Sequence, residues 1–135
     1  MAYTYNSDIV SDLHKDARGF RPTQYWWDQW DLCNDDQKQV MWDSLCKELE
    51  QEMAREKAAQ DAALLGMHQR IQGLMLVGAK DEVQALKWIM EAEEFSDYDM
   101  QYGADYFCYH FGLNYNTKKD FPIQQAMNEM LSEVV

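Results

Sequence analysis

At 135 residues, with 47% apolar and 13% aromatic side chains, the chain is long enough for one domain with a buried core and too apolar for a disordered polymer. Its 24 Asp and Glu against 12 Lys and Arg give a net charge of −12, which disfavours direct contact with nucleic acid or an anionic membrane, since both recruit cations. The excess lies in two blocks, 23–60 and 91–135, and the aromatic residues crowd into the same blocks.

The opening residues lack the basic and apolar regions of a secretion signal, and the longest apolar run, Leu74–Val77, is too short for a membrane span. Cys33, Cys46 and Cys108 follow no motif spacing, so reduced thiols and a cytoplasmic location are expected. The first predicted helix covers 7–18. Ser7 stands at its cap, and Ile9, Val10 and Leu13 form its apolar face. Gly19 then occupies a left-handed stop, and Pro22 blocks continuation. Thr23 opens a short helix in which Trp26, Trp27, Trp30 and Cys33 share a core-facing side. Asn34 and Gln37 form a capping box for a long helix over about 35–72. Its stripe of Met41, Leu45, Leu49 and Met53 fades over 50–61, where helix propensity is high but no apolar face exists, and Gly66 and Gly73 are possible breaks.

A turn at Gly78-Ala79 leads to a helix over 80–94, with Val83, Leu86, Ile89 and Met90 inward. Ser96 caps a helix expected to reach Phe111 and stop at Gly112, studded by Tyr98, Tyr102, Tyr106 and Tyr109. A polar loop over 114–120 precedes a last helix at 121–134, with Ile123, Met127, Met130, Leu131 and Val134 on one side. The fold expected is a single all-α domain over 1–135, an irregular bundle of five to six helices with one long helix.

Catalytic and metal signatures are thin. No nucleophile elbow or phosphate-binding glycine loop occurs. Cys108 and His110 are two apart, which on a helix points them to different faces and does not suit one zinc ion. Glu91, Glu93, Glu94, Asp97 and Asp99 lack the glycine and the periodicity of a calcium loop. No cofactor, metal or catalytic residue is therefore expected. His110 with Asp105 and Tyr106 is the one small polar constellation.

The run Asp12-Leu13-His14-Lys15-Asp16-Ala17-Arg18-Gly19-Phe20-Arg21-Pro22 resembles the opening of small uncharacterised proteins encoded by tailed bacteriophages. The likeness covers eleven residues. Those proteins share a Leu-His-Lys-Asp-x-x-Gly-Phe-Arg-Pro order, with a weaker echo around Gly103–Tyr106 and His110–Leu113. The resemblance implies a host bacterial cytoplasm and assigns no chemistry to His14, Lys15, Gly19, Phe20, Arg21 or Pro22. Physically the run is a helix, its glycine stop and a ring placed to cover the Lys15 stem, with Arg21 left without a packing role.

Acid beside aromatic predicts a non-enzymatic protein that binds a basic host protein, such as a nucleic-acid enzyme or a defence complex, as an inhibitor or DNA mimic. The binding face is expected to comprise Glu91, Glu93, Glu94, Asp97, Tyr98, Asp99, Tyr102, Asp105, Tyr106 and Tyr109. Two alternatives stand beside it. One is a virion or assembly component, a homo-oligomer joined through 50–61. The other is a small metal-dependent enzyme using His110 and Asp105.

Overall fold

The computed structural model describes residues 2–133, so Val134 lies outside the described residues. Among these the chain is all-α and has no strand. The order is α1 Val10–Arg18, α2 Gln24–Leu32, α3 Asp35–Leu76, α4 Glu82–Ala92, α5 Asp97–Met100, α6 Ala104–Phe111, a 3-10 helix Tyr115–Asp120, and α7 Ile123–Ser132. Two compact units emerge, Met1–Lys57 and Ala58–Val135, with α3 contributing to both.

In the first unit Val10, Trp30 and Leu45 are the buried apolar residues, joined by buried His14 and flanked by Leu13, Trp26, Trp27, Met41 and Trp42. The tryptophan side of α2 is therefore core. Trp26 stacks on Trp30 at 5.3 Å between ring centroids, and Tyr5 meets Trp30 edge-on at 5.7 Å. Thr23 caps α2 through Trp26 N–H, and the Asn34–Gln37 box closes with both bonds at 2.9 Å. α1 begins later than predicted. The Asn6 side chain accepts from Asp8 N–H, which turns residues 7–9 and leaves Ser7 without a capping role and Ile9 exposed. The stripe on α3 ends at half-buried Leu49, because Met53 is exposed.

Residues 3–5 are pinned to the first turns of α3. Thr4 and Tyr5 N–H both donate to Gln39 Oε1, and the Tyr3 and Tyr5 hydroxyls donate to Asp36 and Asp35. The bond to Asp36, with the nearby carboxylate charge, pushes the Tyr3 phenol up to about 12. The folded value lies above the ordinary 10.0, so this contribution to stability is complete below pH 10 and is lost as pH rises through about 12. In a spectrophotometric phenolate titration, Tyr3→Phe should remove the latest-titrating component; an unchanged curve would show that the Asp36 bond is not formed.

α3 passes through Gly66 and Gly73 without a break. An interior glycine costs only about 1 kcal/mol, and the residues on either side are strong helix formers. The stop comes at Gly78 (φ 134°), where Ala79 N–H reaches back to Leu74 C=O at 2.9 Å. The second unit packs Met67 and Ile71 of α3, Leu86, Ile89 and Met90 of α4, Phe107 of α6, and Ile123 and Met127 of α7 around one core. The helix predicted over 96–111 is two helices. α5 ends at Met100, and Gly103 (φ 77°) redirects the chain into α6. The backbone angle at Gly103 requires glycine, whereas a Cβ there would meet only the movable end of the Gln124 side chain. Together with the 3-10 helix in the predicted loop, this split raises the helix number above five to six.

Candidate functional site

The N-terminal run is a structural device. α1 presents His14 inward at 2% exposure, and its Nδ1 bonds the Phe20 carbonyl at 2.7 Å across the Gly19 stop. The Phe20 and Trp26 rings meet the imidazole edge-on at 5.3 and 5.5 Å, so Phe20 covers His14. Gly19 takes the left-handed angle (φ 86°) that the stop needs, and Pro22 precedes Thr23, the cap of α2. Arg21 has a partner after all, donating to Asp12 at 2.7 Å and Ser11 at 3.1 Å. Arg18 grips Glu48 through two nitrogens, at 2.8 and 3.2 Å, and this holds the Glu48 carboxyl below its ordinary value. Lys15 is exposed. His14, Gly19, Phe20, Arg21 and Pro22 therefore serve the α1–α2 corner, and Arg18 ties α1 to α3.

The second unit carries the acidic and tyrosine-rich residues. Tyr98, Tyr102, Tyr106 and His110 recur every four residues across the α5–α6 break. Successive ring centroids lie 5.3, 6.2 and 6.1 Å apart. Phe95 backs this ladder, 5.2 Å from Tyr106 and 4.8 Å from His110. Tyr98 and Tyr102 are 66% and 58% exposed, and Tyr106 is half-buried. The Tyr102 hydroxyl donates to Tyr98 at 2.6 Å, which raises the Tyr102 phenol above its ordinary value. Tyr109 is exposed but stands outside the ladder, whose fourth ring is His110.

The carboxylates divide by what holds them. Glu93 is tied to Arg70 at 3.1 Å and to His110 at 3.3 Å, and both bonds lower its carboxyl. Asp99 completes a capping box with Ser96. Asp105 pairs with Lys118 at 3.0 Å. His110 and Asp105 thus have separate partners, and the constellation with Tyr106 is not assembled as a site. Glu91, Glu94 and Asp97 are exposed and form no salt bridge with any described residue.

Glu91 and Glu94 are also placed against local stability. The last turn of α4 carries no basic residue, although the negative end of a helix favours cations. Glu94 itself has φ 58° and fills the left-handed stop of α4, with Phe95 N–H bonded to Met90 C=O at 3.0 Å. The equivalent stops of α3 and α6 use Gly78 and Gly112. A non-glycine residue there costs about 1–2 kcal/mol. Glu94→Gly should therefore raise the thermal unfolding midpoint by about 1 kcal/mol of stability; a lowered midpoint would show that the Glu94 side chain is needed for folding.

Beside the ladder lies a cleft of about 450 Å³. Tyr102 forms one wall, Phe121 and Pro122 the apolar floor, and the Asp105–Lys118 pair part of the rim. The sequence reading found Tyr102 and Asp105 but missed Lys118, Phe121, Pro122 and Gln125, which reach the cleft from the 3-10 helix, α7 and the link between them. No pattern in the sequence marks them, since their proximity arises only from tertiary packing. Among the described residues no group of three or more His, Cys, Asp and Glu side chains is placed to hold a metal ion, and no helix is long and apolar enough to cross a membrane. The Cys108 thiol is buried, and burial raises it away from the reactive thiolate. No family model, curated protein or solved structure matches the chain.

Proposed function

We propose that the protein is a non-enzymatic binding module whose α4–α5 corner docks a Lys- and Arg-rich segment of a partner protein. The observation that carries this reading is Glu94, a carboxylate kept at a left-handed helix stop where glycine would be more stable. Strain of this kind, beside unpaired Glu91 and Asp97, is accounted for when the charge serves something other than folding. Exposed Tyr98 and Tyr102 supply large, rigid contact area and ring faces that attract cations. The working face is thus Glu91, Glu94, Asp97, Tyr98 and Tyr102. Glu93, Asp99 and Asp105 belong to the scaffold.

The setting follows the N-terminal resemblance to phage proteins. In a bacterial host, the partner would be a basic nucleic-acid enzyme or defence complex whose groove the acidic face occupies as an inhibitor. The test is the affinity of a Lys/Arg-rich decapeptide at low and high salt. Binding should weaken at least tenfold between about 50 and 300 mM salt, because the contact is between exposed charges. An affinity flat across that range would remove the electrostatic basis of the proposal.

A further inference from the structure

We infer that the cleft beside Tyr102 seats an aromatic side chain of that same basic segment, an inference that rests on the docking reading above. The rim explains why the occupant is uncharged. Lys118 Nζ lies 3.0 Å from Asp105 Oδ1, so the two rim charges cancel. A carboxylate entering the cleft meets Asp105, and a guanidinium meets Lys118. Either forms its own pair only at the expense of this one, a small cost at an exposed pair, whereas an uncharged ring leaves the pair intact. The floor suits a ring as well, since half-buried Pro122 presents apolar surface beside the almost fully buried Phe121, without competing donors. The exposed Tyr102 ring stands as a wall for edge-to-face or offset contact.

The polar edge of the cleft refines the class. The Gln124 amide is already committed, accepting from Ala104 N–H at 3.2 Å and donating to Asn128 at 3.0 Å. Gln125 is exposed at the lining, and its amide has no partner among the described residues, leaving it available to an indole N–H or a phenol hydroxyl. The volume falls in the lower part of the roughly 300–1,000 Å³ range of ligand sites, enough for one such side chain with its backbone. Tyr102 also joins the cleft to the charged corner. Its ring lies 5.3 Å from that of Tyr98, which directly follows Asp97. One segment can therefore place cations on the acids and a ring in the cleft a few residues away.

The experiment compares two Lys/Arg-rich decapeptides that differ only in a central Trp or Ala, titrated into the full-length protein and followed by calorimetry and by side-chain amide NMR. The Trp peptide should bind about tenfold more tightly. It alone should shift the Gln125 amide, and its advantage should shrink to under twofold in Tyr102→Ala, a substitution at an exposed position that leaves the core intact. Equal affinity of the two peptides for the wild-type protein overturns the anchor while leaving the docking reading standing. A Trp advantage that survives Tyr102→Ala with no Gln125 shift also overturns it, because the ring then sits elsewhere. Failure of both peptides to bind removes the docking reading and the anchor together.

Discussion

Replacing Trp30 with alanine is expected to unfold the first unit. At roughly 0.05–0.15 kcal/mol per residue, a unit spanning Met1–Lys57 holds on the order of 3–9 kcal/mol. A buried Trp→Ala substitution removes about 3–5 kcal/mol. Trp30 is 1% exposed and touches most of what holds this unit together. It packs with Val10 and Leu45, stacks on Trp26, receives the Tyr5 edge, and lies under the Lys38 ammonium at 5.7 Å from the ring centroid. Few other buried residues are present to absorb the loss. Residue-resolved amide hydrogen exchange should show α1 and α2 losing protection while α4 and α7 keep theirs, because those helices draw on a separate core. Native-like protection of α1 and α2 in the variant would mean that the core of this unit does not depend on Trp30.

The second large effect concerns binding. The triple substitution Glu91→Gln, Glu94→Gln and Asp97→Asn is expected to weaken a Lys/Arg-rich peptide about 10- to 100-fold, mostly through slower association. The magnitude follows from three exposed charges each worth a few tenths to about 1 kcal/mol. Stability should change little with it, because relief of Glu91 and Glu94 at the negative end of α4 offsets the loss of Asp97 from the first turn of α5, and none has an ion-pair partner to lose. Stopped-flow association and a melting curve on the same preparation separate the two effects. A parallel triple variant at Glu93, Asp99 and Asp105 provides the contrast. It breaks the Arg70, Ser96 and Lys118 contacts, so it should lower stability more. If the first triple variant binds as tightly as the wild type, the acids of the α4–α5 corner have no part in docking.

Much of the fold was legible because its signals are local. The capping boxes at Asn34 and Ser96, the cap at Thr23 and the glycine stops at Gly19 and Gly112 each act over a few residues, so their sequence pattern is their physics. The misreadings came where a local rule had a local competitor. Ser7 resembles a cap, but the Asn6 amide turns the chain first. The continuous aromatic run over 96–111 hid a break at Gly103, because a helix can also carry a glycine in its interior, as α3 carries Gly66 and Gly73. In the N-terminal run His14, Gly19, Phe20 and Arg21 close the α1–α2 corner, contacts that the resemblance to phage proteins did not assign.

The candidate site was only half legible. Composition located the acids and the tyrosines, but it gave no means to separate Glu93, Asp99 and Asp105, whose carboxylates hold partners, from Glu91, Glu94 and Asp97, whose carboxylates form no salt bridge with any described residue. Charge counting treats all six alike, and only partners and backbone angles distinguish them. The sequence names Tyr98, Tyr102, Tyr106 and Tyr109 without order, whereas the structure stacks the first three with His110. The cleft was out of reach, because Lys118, Phe121, Pro122 and Gln125 come from a 3-10 helix, α7 and the link between them, more than a dozen residues away from Tyr102.

The most direct measurement follows backbone and side-chain amide shifts of the full-length protein as a Lys/Arg-rich peptide is added at low salt and again at high salt. Saturating shifts should concentrate at Glu91, Glu94, Asp97, Tyr98 and Tyr102 and collapse at high salt, while α1 and α2 stay unmoved. Shifts that scatter over both units, or that centre on any other surface with the α4–α5 corner silent, would contradict the assignment of that corner as a docking face.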